Sequence, residues 1–508
     1  MKPLAVWAPR AGCVELALGS KRLAMRPRGD SGWWVAEAVE LAHGTDYGFL
    51  LDGEGPFPDP RSPWQPHGVD RPSRIYDHSR MSWTDQSWAG IEMHRAVIYE
   101  MHVGTFTPEG TFAGAVARLD YLVGLGINAV ELMPVAEFSG DRGWGYDGVD
   151  LFAPHHSYGG PDGLKEFVDA CHGRGLGVIM DVVYNHLGPH GNILGRFGAY
   201  FTDRYSTGWG AAINFDGPQS DEVRAFFVAN AIGWLADYHC DGLRLDAVHA
   251  IIDTSALNIV EEIASAVAAL AQRCDRTMVV IAESDLNDPR IVRPIDQGGY
   301  GVDSQWSDDF HHAIHAVLTG ERNGYYGDFG SLGDIATALE RGFVYDGRYS
   351  AYRQRTHGRP AGDLAGQKLL GYSQDHDQVG NRAMGERSSA LMSTGRLMVA
   401  AGLVMTAPFV PMVFQGEEWG ASTPWCYFTD HADPDLGRAV RDGRRAEFAA
   451  FGWDPTIIPD PQDLDTFERS RLDWAEMEVA PHAGLLDWYR RLIALRGRIV
   501  GLSDGRRD

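Results

Sequence analysis

After about residue 96 one pattern repeats eight times: a short, continuous apolar run, a loop, and a stretch of helical periodicity. The runs are Val97–Val103, Asn128–Pro134, Gly177–Tyr184, Gly242–Val248, Met278–Ser284, Val302–Trp306, Lys368–Ser373 and Phe409–Gln415. Continuous rather than alternating apolar runs mark strands buried on both faces, as in all-parallel sheets. Helical patterns intervene, among them Gly163–Gly173, Asp221–His239, Ser255–Arg273 and Leu485–Arg496. Eight such units predict an α/β fold, a (β/α)8 TIM barrel. An open doubly wound sheet is the alternative, and it would place polar groups less regularly at the strand ends. Here charged and histidine residues recur at the C-terminal ends, the face on which barrel enzymes build their sites.

The first ~85 residues differ. Short β-like runs (Leu4–Trp7, Val14–Leu18, Trp33–Ala36, Tyr47–Leu51) alternate with Gly, Pro and Asp turns, which predicts an N-terminal immunoglobulin-like β-sandwich of the carbohydrate-binding-module type over 1–85. A Pro- and Arg-rich connector, Phe57 to Ser73, leads to a barrel over 86–500 and a tail over 501–508. Long loops after the third strand (Leu187 to Pro218) and the eighth (Gly416 to about Ala480) would shape a cleft.

Composition closes several routes. A net charge of −24 makes nucleic acid or an anionic membrane an unsuitable partner. Cys13, Cys171, Cys240, Cys274 and Cys426 are scattered singly, giving neither a disulfide framework nor a zinc site. The N-terminus lacks the apolar segment of a signal peptide and no glycosylation sequon occurs, which points to the cytoplasm. Leu397–Phe414 nearly reaches membrane-span length, but Pro408 and Pro411 divide it into a buried helix followed by a buried strand. Gly124-Leu-Gly126-Ile-Asn-Ala129 precedes a strand instead of following one, so it is no dinucleotide fingerprint. No lysine follows a glycine, and no H-E-x-x-H or G-x-S-x-G occurs, which removes phosphate-loop, zincin and serine-hydrolase chemistry.

Four strand ends carry the chemistry: Asp181-Val-Val-Tyr184-Asn185-His186, Gly242-Leu-Arg244-Leu-Asp246-Ala-Val-His249, Ala282-Glu283-Ser284-Asp285 and Asp375-His376-Asp377-Gln378. Glycoside hydrolysis needs two carboxyl groups flanking the scissile bond, one protonated and one ionised. Asp246 and Glu283 end adjacent strands. Arg244, two residues from Asp246, projects to the same side and can hold it ionised. Glu283, with less positive charge nearby in sequence, is free to have its proton affinity raised. Any one of these acids alone could be a helix cap or salt-bridge partner. Together on four strands they are costly to gather unless used.

These segments resemble the four short regions of the α-amylase family, glycoside hydrolase family 13, over nearly the whole chain. The resemblance implies Asp246 as nucleophile, Glu283 as general acid/base and Asp377 gripping ring hydroxyls, with Arg244 orienting Asp246. It implies that His186 and His376 hydrogen-bond the cleaved sugar, that Tyr146 stacks beneath it, and that Asp181 and Asn185 organise the site. The flanks Met133–Phe138, Gly143–Phe152, Arg244–Ile251, Ala282–Arg290, Gln305–His312 and Asp375–Arg382 are similar to the malto-oligosyltrehalose trehalohydrolase branch. So are Trp7–Ala11 and the Asp59–Ser62 and Gln65-Pro66 segments of the N-terminal region and connector. That branch implies retaining hydrolysis of the α-1,4 bond beside a terminal trehalose, with carboxyl groups about 5–5.5 Å apart. Its substrates are maltooligosyl trehalose and maltodextrin, and its pathway neighbour is the maltooligosyl trehalose synthase. No metal or cofactor is implied.

On the leaving-group side, Asp285, Asp308 and Asp309 are candidates because carboxylates grip neutral sugars by charge-assisted hydrogen bonds, and each could instead cap a loop. His249 is a further candidate at the end of the fourth strand. Trp306, Trp209 and Trp419 could stack on glucose rings, with at least one of them expected to be buried packing instead. This family carries a C-terminal β domain, and the sequence stops at Asp508 without room for one, so that domain is expected to be missing or truncated. Two rivals remain: a glycogen branching enzyme of the same family, and a non-catalytic carbohydrate-binding barrel. The second expects Asp246, Glu283 or Asp377 to be replaced, and all three are present.

Overall fold

The computed structural model describes residues 4–507 apart from 38–39, 209, 451–453 and 455. Eight strands close a parallel barrel: β1 (Ile98–Met101), β2 (Ala129–Leu132), β3 (Gly177–Val182), β4 (Gly242–Leu245), β5 (Val279–Ala282), β6 (Ser304–Trp306), β7 (Leu369–Gly371) and β8 (Val410–Phe414). Strand β8 pairs back onto β1, with Met412 opposite Ile98, so no sheet edge is left open. Every residue of these strands is buried, as their unbroken apolar character requires.

Each predicted strand therefore contains an observed one. The helices fall close to expectation as well, at Gly160–His172, Ser220–Ala236, Ile259–Cys274 and His482–Arg498. The third begins four residues later than its periodicity suggests, because the Asn258 side chain accepts the Val260 N–H and caps it. The apolar stretch 397–414 divides into a helix over Thr394–Thr406 and strand β8, as its prolines dictate. Among the described residues no helix is long and apolar enough to cross a membrane.

Ahead of the barrel lie two antiparallel sheets. One joins Ala5–Trp7, Trp33–Val35 and Arg26–Pro27, and the other joins Lys21–Ala24, Val14–Leu18, Asp46–Leu51 and Glu54–Phe57. Val6, Val14, Leu16 and Phe49 are buried and belong to the same apolar core. Trp7 docks this unit on the barrel, edge-on to Tyr200 with ring centroids 5.4 Å apart. Gly198 is required there, since a Cβ would lie 2.2 Å from the indole.

Four excursions interrupt the barrel on its C-terminal side among the described residues, the first being the connection after β2, where Ala136–Glu137 pairs with Asp150–Pro154. The loop after β3 contains a hairpin of Phe201–Thr207 with Gly210–Ile213. The connection after β6, which the sequence pattern did not single out, holds a helix (Leu332–Arg341) and a hairpin of Asp346–Ser350 with Arg355–Gly358. The loop after β8 contains a helix over Pro434–Ala450.

A buried polar knot ties the opposite end, where Asp241 precedes β4. Its carboxylate accepts from the Val178 N–H (2.8 Å), Trp88 Nε1 (2.7 Å) and Arg276 Nη2 (2.7 Å). His172 stands between Asp241 and Asp85, each 2.9 Å from a ring nitrogen.

Candidate active site

Parallel register brings the chemistry to one mouth. Arg244 lies opposite Asp181 across β3 and β4, and the N–H groups of Asp246 and Glu283 bond to Val182 O and Leu245 O, continuing the ladder by one residue. The three side chains therefore converge over the barrel interior. The fully buried Arg244 guanidinium joins them: Nη1 is 2.7 Å from Asp246 Oδ1 and 3.0 Å from both oxygens of Asp181, while Nη2 is 2.8 Å from Glu283 Oε2. The bridged oxygens of Asp246 and Glu283 are thus no farther apart than two hydrogen bonds and one guanidinium. Trp306 covers the cation with its ring centroid 4.5 Å from Cζ.

The two carboxyl groups are pulled in opposite directions. Burial pushes Asp246 up, but Arg244, then His186 and the Asn185 amide, outweigh it and hold the group below the ordinary carboxylate range. Asn185 Nδ2 donates to Asp246 Oδ2 at 2.6 Å. For Glu283 burial dominates and raises it well above the ordinary value, with Asp246, Asp377 and Asp308 adding to the rise against Arg244. This corrects one expectation: Glu283 is not remote from positive charge, because it shares the arginine with Asp246. Desolvation, rather than a missing cation, keeps its proton. The backbone at Ala247 turns into the left-handed region (φ 40°), and its N–H donates to Glu283 Oε2 at 2.9 Å. Such strain in a residue with a side chain persists only where its surroundings enforce it.

Asp377 comes from the short helix His376–Gly380 after β7, whose start is capped by Asp375 accepting the Gln378 N–H. It is half-exposed and accepts from Asn381 Nδ2 at 3.1 Å. His376 Nε2 is 3.7 Å from Asp377 Oδ2, while its Nδ1 pairs with Glu100 inside the barrel. Burial opposes the charged imidazolium, but Glu100 and Asp377 outweigh it and lift His376 to about 10. The Tyr146 ring stacks on His376 at 5.1 Å, and its hydroxyl donates to Asp181 at 2.7 Å.

A cavity of about 380 Å³ opens over these groups, lined by Tyr146, His186, Asp246, His249, Glu283, His376 and Asp377. Trp144, Asp147, Ala247, Asn381, Tyr427 and Arg444 complete the wall. His186 presents Nδ1 to Asn185 Oδ1 and Nε2 to Tyr146 O (3.0 Å), so a sugar hydroxyl must replace one of these contacts.

The structure does not bring every candidate to this wall. Trp306 is 2 % exposed and spends its face on Arg244, which corrects the expectation that it stacks on glucose. Trp419 is wholly buried against Trp474, the packing role expected of at least one of these tryptophans, and Trp209 lies outside the described residues. Asp309 is also corrected. It is buried, and its Oδ2 accepts from the Val344 and Tyr345 N–H groups (2.7 Å each) and from Asn287 Nδ2 (2.8 Å), pinning the connection after β6. Asp308 accepts from the Tyr372 hydroxyl and is raised by burial to about 7. Asp285 is ion-paired with Arg353 at 3.0 Å and lies 3.9 Å from His249 Nε2. Neither Asp308 nor Asp285 lines the cavity.

Sequence reading passed over Glu100 and Glu131, which face each other across β1 and β2 within the barrel. Their signal was an acid interrupting an otherwise apolar run. It likewise passed over Tyr427 and Arg444, which come from the loop after β8; Asn381, within the Asp375–Arg382 segment, ends the helix after β7. One group of metal-ligand type occurs away from the cavity among the described residues: Glu137, His155 and His156, with ligand atoms within 4.8 Å of one another. Within it His156 Nδ1 stands 2.7 Å from Glu137 Oε1, and His155 Nδ1 accepts the Ser157 N–H.

A closed barrel carrying this carboxylate constellation at its C-terminal mouth defines a glycoside hydrolase of the α-amylase class. The family model described as alpha amylase, catalytic domain, matches residues 72–200. The malto-oligosyltrehalose trehalohydrolase of Arthrobacter ramosus is 54 % identical over 97 % of this chain and 86 % of its own, and that of Saccharolobus solfataricus is 45 % identical over 99 % and 86 %. The chain belongs to the malto-oligosyltrehalose trehalohydrolase family. A solved structure from Salmonella typhimurium assigned to the α-amylases superposes with a TM-score of 0.92 at 39 % identity, over 99 % of this chain and 85 % of that one. A branching enzyme from Corynebacterium jeikeium is 28 % identical over 83 % of this chain and 61 % of its own.

Proposed function

We propose that this chain hydrolyses, with retention, the α-1,4-glucosidic bond beside the terminal trehalose of maltooligosyl trehalose, releasing trehalose and a maltodextrin. The observation that carries the chemistry is one guanidinium bridging two carboxyl groups whose proton affinities are driven apart. In the first half-reaction ionised Asp246 attacks the anomeric carbon as Glu283 passes its proton to the departing trehalose oxygen. The C–O bond to trehalose breaks, and a β-glycosyl ester to Asp246 forms. In the second, Glu283 takes a proton from water, whose oxygen displaces Asp246 and restores the α configuration. Asp377 and His376 hold ring hydroxyls, Tyr146 offers the floor of the subsite, and Arg244 with Asp181 and Asn185 aims Asp246.

Identity of about half the residues with trehalohydrolases, over nearly the full chain, supports the trehalose-side specificity. Asp285 and His249 are proposed near that side and Asp308 behind Glu283. The substrate would be supplied by a maltooligosyl trehalose synthase, and the reaction placed in the cytoplasm. The test supplies purified protein with maltotriosyltrehalose and with maltopentaose. Free trehalose from the first, at a rate far above cleavage of the second, is expected. Preference for maltopentaose would remove the trehalose-side assignment.

A further inference from the structure

Two buried glutamates stand side by side inside the barrel, Glu100 on β1 and Glu131 on β2, and they are used differently. Glu100 turns both oxygens on one residue: Oε2 accepts the His376 backbone N–H at 3.2 Å, and Oε1 pairs with His376 Nδ1. Among the described residues Glu131 Oε2 has no hydrogen-bond partner. We infer that Glu100 is a positioning residue for the reaction, holding the His376 ring doubly protonated so that its Nε2–H is presented to the substrate beside Asp377. The consequence for turnover rests on the hydrolytic reading above; the protonation of the ring does not.

Donor arithmetic decides the state of the ring. A neutral imidazole carries one N–H and one bare nitrogen. Here the two nitrogens face acids on opposite sides, Nδ1 towards Glu100 and Nε2 3.7 Å from Asp377 Oδ2. A neutral ring protonated on Nδ1 would turn a lone pair towards the Asp377 carboxylate and could not donate to a sugar hydroxyl. Only the ring with both protons donates in both directions. Nor is it free to swing away. Tyr146 stacks on it at 5.1 Å, Trp144 meets it edge-on at 5.6 Å, and Trp425 Nε1 donates to its backbone oxygen at 3.0 Å.

The other ionisable groups acting on the ring are Asp375 at the start of its own helix, Glu131 on β2, Asp181 on β3 and His102 just after β1. Burial holds His102 down at about 3, so it adds no positive charge. Arg244 on β4, whose covering Trp306 also meets the His376 ring edge-on, is engaged by three carboxyl groups. Two neighbouring carboxyls away from water do not both ionise cheaply. Burial, and then Glu100, push Glu131 well above the ordinary range, so Glu131 keeps its proton and Glu100 carries the charge. A charged donor makes a hydrogen bond roughly twice as strong as a neutral one, which is what Glu100 gives His376 for its grip on a ring hydroxyl.

The test reads the ring first. In protein labelled with 15N-imidazole histidine, the His376 signals are assigned by their loss in His376→Gln. Both nitrogens are expected to be protonated from about pH 6 to about pH 8 in the unaltered chain. Glu100→Gln keeps hydrogen-bonding groups in place and removes the charge, and there the ring should be neutral at about pH 8. On maltotriosyltrehalose its kcat at about pH 7 should fall about ten-fold. The alkaline limb of its kcat/KM should move to lower pH, because an imidazolium without its neighbouring carboxylate loses its proton sooner. Glu100→Asp restores the charge and should return the limb towards its original place. Glu131→Gln exchanges one neutral group for another and should leave the His376 ring doubly protonated. A His376 ring that titrates near about 6.5 in the unaltered chain overturns the inference, and this reading needs no change at Glu100, so it decides even where Glu100→Gln fails to fold. An unmoved limb in folded Glu100→Gln overturns it equally. Neither result alters the release of trehalose by the unaltered protein, which tests the hydrolytic reading separately.

Discussion

The two ends of the barrel bury charge in contrasting ways. At the N-terminal end Asp241 and Asp85 meet His172, His239 and Arg276, and Asp241 also accepts a backbone and an indole N–H, so each acid faces several donors. At the C-terminal mouth one arginine faces Asp181, Asp246 and Glu283, and among the described residues Glu131 below it leaves an oxygen unbonded. The first arrangement spends its interactions on holding helix and strand together. The second leaves them unbalanced, and the imbalance sets which carboxyl keeps a proton. A matched knot serves stability; a mismatched one serves chemistry.

Substitutions should separate the two. The largest effect is expected for Glu283→Gln, which removes the transferable proton: trehalose release should fall by about 10^4-fold with little change in the melting temperature. Near-normal turnover would break the contrast outright. Asp241→Ala should do the reverse, stranding Arg276 and His172 and costing about 3–5 kcal/mol in urea unfolding, while the folded fraction keeps its kcat.

Proton affinity gives a finer test. Activity requires Asp246 ionised and Glu283 protonated, so kcat/KM should fall on the alkaline side as Glu283 loses its proton through its raised value. Asp308 is one of the charges raising it, so Asp308→Asn should move the alkaline limb to lower pH, whereas Asp85→Asn should leave the limb in place. The smallest effect is expected from Asp85→Asn on stability, about 1 kcal/mol, because the amide oxygen still accepts from one histidine; chemical denaturation reads it.

The barrel was legible because parallel strands buried on both faces cannot hide their apolar runs, and the acids at their ends broke those runs at a regular place. The hairpin over 346–358 was not, since it is largely exposed, rich in charge (Asp346, Arg348, Arg355) and has no apolar alternation. The N-terminal strands Lys21–Ala24 and Arg26–Pro27 escaped notice for the same reason. Trp306 was misjudged because a tryptophan at a strand end can face the mouth or the arginine beneath it, and only the closed barrel decides which. Asp309 was misjudged because three loop donors converge on it from residues 287, 344 and 345, a convergence invisible along the chain.

The single arginine among three carboxylates has one last consequence. A guanidinium cannot give up its proton, and even with Glu283 protonated the cluster holds two acids against one base. As the glycosidic bond stretches, the sugar ring itself becomes oxocarbenium-like and briefly supplies the missing positive charge. The oxocarbenium-like ring thus brings positive charge to a cluster in which a single guanidinium faces three carboxyl groups, and an uncharged glucose unit brings none.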